Sequence, residues 1–156
     1  MRTVVSLTIA TCLVTAAAQA QDVSLNPAYE EITLSAGFKN DPYSVAVTSG
    51  GDVDASQLGG SCAGFIAEAP DVRLNYKAGE YPLSFGAVSD GDTTLVINGP
   101  DGQWYCDDDS WDDGDPMVRF ADPMSGQYDI WVGSFDPSEN LETGVAISEA
   151  AGFAGD

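Results

Sequence analysis

Residues Thr93-Thr94-Leu95-Val96-Ile97-Asn98-Gly99-Pro100-Asp101-Gly102-Gln103-Trp104-Tyr105-Cys106-Asp107 decide the fold class. Two runs rich in β-branched and aromatic residues flank Gly99-Pro100-Asp101-Gly102. In that turn Pro presets φ at the second position and Gly accepts a positive φ, so the stretch predicts a β-hairpin. Placing Asn98 opposite Gln103 sets Ile97 beside Trp104 and Leu95 beside Cys106. Both pairs then share one face, and Cys106 is aimed at the core. A G1 bulge at the turn shifts every pair by one residue.

The same grammar extends outward in both directions. Short runs of Val, Ile, Thr and aromatic residues recur between Gly, Pro and Asp every eight to twelve residues, and no helical stripe exceeds two turns. Strands are expected at Glu30–Leu34, Tyr43–Thr48, Val72–Tyr76, Tyr81–Val88, Thr93–Asn98, Gln103–Asp107, Met117–Ala121, Gln127–Ser134 and Thr143–Ser148. Tyr43, Val45 and Val47 alternate with Ser44, Ala46 and Thr48, which predicts one buried and one wet face. The Gly- and Ser-rich segment 50–64 is expected to be irregular. The expected class is all-β, a jelly-roll-like antiparallel sandwich. Trp104, Trp131, Tyr128, Phe85 and Phe120 supply its large apolar side chains.

The first twenty residues read as an export signal. Met1-Arg2 is a short positive region, Val4 to Ala18 is apolar, and Ala18-Gln19-Ala20 is a small-x-small cleavage site. The apolar run is too short for a stable membrane span. A lipid-anchored alternative through Cys12 is weakened by Thr11, which is bulkier than the small residue expected there. Cleavage after Ala20 leaves Cys62 and Cys106, and an even pair in an exported chain implies one disulfide. The expected organisation is a signal peptide (1–20), N-terminal strands and loop of the same domain (21–61), a sandwich core (62–149) and a flexible tail (150–156). The protein is thus expected in the periplasm or outside the cell.

Charge narrows the function classes. The 156 residues hold 25 acids, 5 Lys plus Arg and no His, a formal charge of −20. Such a surface repels phosphate backbones and anionic membranes. Without His there is no Ser-His-Asp triad and no His-ligated zinc. Only Lys39 or Lys77 could serve Ser as a base, and Gly59-Gly60-Ser61-Cys62-Ala63 lacks the final Gly of a nucleophile elbow. A lone Asp92-Thr93-Thr94 has no second copy to form an aspartic dyad. A non-catalytic module is the expectation.

The hairpin register brings the acidic loops Asp90-Gly91-Asp92 and Asp107 to Asp115 to one end of the sheet. Eight carboxylates are expected on that rim: Asp90, Asp92, Asp107, Asp108, Asp109, Asp112, Asp113 and Asp115. Crowded like charges raise pKa values and cost stability. Ca²⁺, with six to eight oxygen ligands in flexible geometry, resolves that conflict. The EF-hand pattern is not met, because Trp111 interrupts it. A solvated, salt-adapted acidic surface without an ion site is the competing reading. Trp111 in the acidic loop, with Tyr105 and Trp131 facing away from the expected core, are candidate contacts for a glycan or a protein.

Several motifs resemble those of the bacterial pre-peptidase C-terminal (PPC) domain. They are Pro70-Asp71-Val72, Tyr81-Pro82-Leu83-Ser84-Phe85, Asp92-Thr93-Thr94-Leu95-Val96-Ile97, Pro100-Asp101-Gly102 and Ser125-Gly126-Gln127-Tyr128-Asp129-Ile130-Trp131-Val132. The resemblance runs from about Pro70 to Val132, under half of the processed chain. It implies a calcium-associated β-sandwich of the kind appended to secreted proteases. The 156 residues include no protease domain, so a stand-alone form is the expectation. A peptidase, or a peptidase-associated protein acting in trans, is the alternative function it leaves open.

Overall fold

The computed structural model describes residues 21–111 and 114–150. The expected signal segment 1–20, Asp112, Asp113 and residues 151–156 of the expected tail lie outside the described residues. In chain order the strands are β1 (Glu30–Ser35), β2 (Tyr43–Thr48), β3 (Val53–Asp54), β4 (Phe65–Ile66), β5 (Val72–Lys77), β6 (Leu83–Ser89), β7 (Thr93–Asn98), β8 (Trp104–Asp107), β9 (Met117–Phe120), β10 (Gly126–Ser134) and β11 (Glu142–Ser148). They form two sheets. The smaller runs β2-β11-β6-β9, and the larger is organised around β10. One edge of β10 pairs with β5 and then with β4, while the other pairs with β7, which carries β8.

Strand periodicity explains the layering. Val45 and Val47 of β2, Leu95 and Ile97 of β7, and Tyr128, Ile130 and Val132 of β10 all point into one interior with Leu74, Leu83, Phe85, Val145 and Ile147. Phe85, Phe120 and Tyr128 meet there at ring separations of 5.3 to 5.9 Å. The all-β sandwich expectation holds, with one departure from antiparallel pairing. β1 runs parallel to β5, from Glu30 beside Val72 to Ser35 beside Lys77. Parallel neighbours need a long crossover. The chain makes it through β2 in the opposite sheet and through β3 and β4. The segment before Cys62 thus contributes strands to both sheets.

The hairpin register differs from the simple expectation by one residue. Gly102, at φ +74°, donates its amide to Gly99 O at 2.9 Å, and Gly99 N donates to Gln103 O at 3.0 Å. This is a type I turn closed by a Gly in the left-handed region, the G1 bulge that shifts the pairing. Ile97 therefore lies beside Tyr105, Val96 beside Cys106, and Leu95 beside Asp107. Cys106 turns away from the main interior, and Tyr105 turns toward it.

A second, smaller apolar cluster forms on the outer face of the larger sheet. It joins Val53, Ala55, Cys62, Ile66, Val96 and Trp131, with Leu58, Trp104 and Cys106 packed against them. Its cover is the 53–66 flap, where an irregular loop was expected. β3 leads into a 3₁₀ turn at Ala55–Leu58, capped by the Asp54 carboxylate on Ser56 N, and β4 closes the flap. Two-residue strands are too short to show periodicity. The Cys62–Cys106 disulfide ties this flap to β8. Beside it, Ser61 Oγ donates to Cys106 O at 2.9 Å.

The segment ahead of β1 is clamped to the same outer face. Arg73, 8% exposed, pairs with Asp129 at 2.6 Å and donates to Val23 O and Leu25 O. Gln127 completes the Asp129 carboxylate at 2.7 Å. At the other end of the sandwich, Glu149 accepts from Gly37 N and Tyr76 OH, so the chain is anchored up to the start of the expected tail.

Two predictions follow from this packing. A Cβ at Gly133 falls inside contact distance of Thr94 Oγ1 and 3.0 Å from Phe65 O, whereas nothing stands within 4 Å of one at Gly102. Gly133→Ala should lower stability by about 2 kcal/mol through overpacking. Gly102→Ala should cost about 1 kcal/mol, from its left-handed backbone alone. Urea midpoints of the two variants check the order, and a Gly102→Ala loss larger than that of Gly133→Ala overturns it. For the disulfide, the processed chain should weigh two mass units below its reduced form. Chain entropy over a sequence separation of 44 predicts a loss of about 4 kcal/mol on reduction.

Candidate cation-binding rim

The rim is built from three connections that the sheet pairings bring to one end of the sandwich. The turn Ser89 to Asp92 joins β6 to β7, the loop 108–116 joins β8 to β9, and residues 135–141 join β10 to β11. Ser89 Oγ stitches the first turn, donating to Gly91 O at 2.6 Å and accepting from Gly91 N at 3.2 Å. Phe135 N donates to Asp92 O at 3.1 Å, which draws the third connection against the first.

Asp107 organises the long loop without joining the rim hollow. Its Oδ2 accepts from Ser110 N at 3.0 Å and from Met117 N at 2.9 Å, so one carboxylate staples both ends of the loop. Trp111 N donates to Asp115 O at 3.0 Å, and Ser110 Oγ donates to Met117 O. These bonds turn the loop back on itself, and Ser89 N donates to Asp115 Oδ1 at 3.5 Å, which sets the loop against the Ser89–Asp92 turn.

Asp90, Asp92, Asp109 and Asp115 line one hollow of about 540 Å³, together with Ser89 and Val88. The Asp92 carboxyl is held above the usual carboxylate range, first by desolvation and then by the charges of Asp109, Asp108 and Glu139. Of the eight acids expected here, four surround the hollow, Asp108 crowds Asp92 from beside it, and Asp107 is turned to the backbone. Asp112 and Asp113 lie outside the described residues. The β7–β8 ladder ends at Leu95–Asp107 and does not itself pair the two acidic loops. The loops meet through their own folding.

Glu139 was not anticipated. Its approach follows from β10 pairing with β7, a long-range fact with no local signature. Among the described residues no group of three or more His, Cys, Asp or Glu side chains is gathered as a metal site. The rim supplies many oxygen acceptors around a space far larger than one bare ion. Such a concentration of carboxylates attracts positive charge.

The aromatic candidates divide. Trp131 is fully buried beneath the flap, 5.4 Å from Trp104 between ring centres, so it offers no surface to a ligand. The unanticipated flap accounts for that correction. Tyr105 stacks edge-on against Phe120 at 4.7 Å and donates its hydroxyl to Asp101 at 2.7 Å. Asp101, held low by the Gln103 amide and that hydroxyl, secures the hairpin turn. Tyr105 is therefore a packing residue. Trp111 is half-buried in the rim loop and remains in the candidate set.

No protein-family model matches the chain, and no curated protein matches it. Among solved structures, the crystal structure of Aeromonas hydrophila PliG, a periplasmic lysozyme inhibitor of g-type lysozyme, aligns with a TM-score of 0.39 and 16% sequence identity, covering 76% of this chain and 96% of that one.

Proposed function

We propose that this chain is an exported, non-catalytic β-sandwich module that binds Ca²⁺ at the acidic rim. The observation that carries the reading is the crowding of Asp92 by Asp108, Asp109 and Glu139 beside a hollow lined by Asp90, Asp92, Asp109 and Asp115. Like charges held this close destabilise the apo rim, and a hard cation with oxygen preference removes the repulsion. The PPC resemblance implies the same ion and remains part of this proposal. Export is supported by the signal-like first twenty residues and by a disulfide suited to an oxidising compartment. The absence of His supports the non-catalytic reading.

Thermal melting at fixed ionic strength tests the ion. Calcium at a hundred times its dissociation constant should stabilise the fold by about 2.7 kcal/mol over EDTA. Asp92→Asn and Asp109→Asn should each reduce that increment. Asp107→Ala should lower stability with and without calcium, because it uncaps the Ser110 and Met117 amides. Identical melting curves in EDTA and millimolar Ca²⁺ refute the site. Affinity should also fall on acidification, as the raised Asp92 carboxyl takes up its proton.

One observation favours a second reading, a protein partner with a basic surface bound in trans. Val88 and Phe135 are 44% and 51% exposed at the rim, an apolar border to the carboxylates. Binding of a basic protein should then weaken steeply with salt, and Phe135→Ser should weaken it without changing the calcium increment.

A further inference from the structure

We propose that β2 is a dimerisation edge, on which the β2 of a second copy of this chain pairs antiparallel about a twofold axis at Val45. β2 ends the smaller sheet and is laddered to β11 on one side. In an antiparallel ladder successive residues turn their amides and carbonyls to opposite edges. Ser49 N donates to Leu141 O at 2.8 Å, toward the β11 side, and Thr48 N donates to Tyr29 OH at 3.0 Å, away from it. The alternation therefore turns Val45 and Val47 to β11. The amides and carbonyls of Ser44 and Ala46 point off the sheet, and both side chains are exposed.

The strands that end the sheets elsewhere are guarded. β8 has the Gly59–Ser61 loop beside it, with Ser61 on the Cys106 carbonyl. β9 has the Met117 amide taken by Asp107 and the Met117 carbonyl by Ser110, and it carries the exposed Arg119. β3 is two residues long, and β1 opens on Glu30-Glu31. By contrast, Tyr43-Ser44-Val45-Ala46-Val47-Thr48 holds no charge, Pro or Gly. Such an uncharged, β-branched run is a template for another strand.

A second copy fits because the open groups are symmetric about Val45. With Ser44 beside Ala46 of the partner subunit, and Ala46 beside Ser44 of the partner subunit, each pair exchanges both hydrogen bonds. The register limits itself at both ends. Pro42, which has no amide, falls opposite Thr48, whose amide is already on Tyr29. Small exposed side chains meet on the outer face, and the buried Val45 meets its own copy on the inner one. Two four-stranded sheets become one that ends on the guarded β9 at each side, so the assembly closes as a pair. Acids flank the edge: Asp41, Glu30 on the Tyr43 hydroxyl, and Glu142 on Thr48 Oγ1. With the formal charge of −20 they oppose contact between copies at low ionic strength, and salt relieves that opposition. The salt dependence is thus opposite in sign to that of a basic partner at the rim.

Sedimentation equilibrium of the processed chain reads the pairing, with EDTA present so that no ion bridges two rims. In about 1 M NaCl, where the screening length is about 3 Å, the mass should rise with concentration to twice that of the monomer and no further. Amide exchange in the same salt locates the contact. Between dilute and concentrated samples Ser44 and Ala46 should slow about tenfold, while Val45 and Val47, already on β11, stay unchanged. Ala46→Pro should weaken association about thirtyfold, from one hydrogen bond lost on each copy. Its fold should survive, because an edge strand tolerates Pro where the amide faces out. A chain that stays monomeric in salt overturns the proposal and leaves the edge to a strand of another protein. A dimer whose Ser44 and Ala46 amides exchange as in the monomer overturns it too, as does a mass that grows past the dimer. Should Ala46→Pro fail to fold, the wild-type exchange decides. Failure of the calcium increment leaves this outcome untouched, since the pairing is read without calcium.

Discussion

Every amide and carbonyl along the nine residues of β10 needs a partner, and the fold is the solution to that requirement. No single neighbouring strand spans it. β7 serves one edge from Asp129 to Ser134, while β5, the Asp71 side chain, Gly50 and β4 divide the other. Because β10 has Tyr128, Ile130 and Val132 on one face and Trp131 on the other, this shared strand also seeds both apolar clusters. The main interior and the flap are consequently coupled through one backbone.

The same strand positions the charge. Pairing of β10 with β7 starts the 135–141 connection beside Asp92, and pairing of β7 with β8 delivers the long acidic loop to the same end. Repulsion at the rim is therefore a product of topology, and the loop survives it through internal bonds. Asp107 is the clearest case: by composition it belongs with the other acids, yet its two backbone bonds make it a brace for the loop that carries them.

Much of the architecture was legible because it is written locally. Tyr43–Thr48 alternates between the two faces, Thr93–Asn98 is a β-branched run buried on both, both keep the expected bounds, and Gly99-Pro100-Asp101-Gly102 announces its turn. The disulfide was legible from the count of cysteines. Its location was not, because one bulged glycine turned Cys106 to the opposite face. The parallel β1–β5 pair, the burial of Asp71 and the approach of Glu139 all depend on residues far apart in sequence. Of the candidate site, the meeting of the two acidic loops was readable from the hairpin, while the division between hollow-lining and bracing acids required the loop's own bonds. Trp131 was misread for a related reason: its outward face is real, and the flap that covers it consists of strands too short to register as a pattern.

β8 ends its sheet, so its outer backbone edge is a template on which another chain could add a strand. The disulfide answers this as well. By fixing Cys62 against Cys106, it lays the Gly59–Ser61 loop along that edge, and Ser61 occupies the Cys106 carbonyl. Together with a charge of −20, which keeps copies apart, this makes the crosslink a guard against strand-by-strand aggregation.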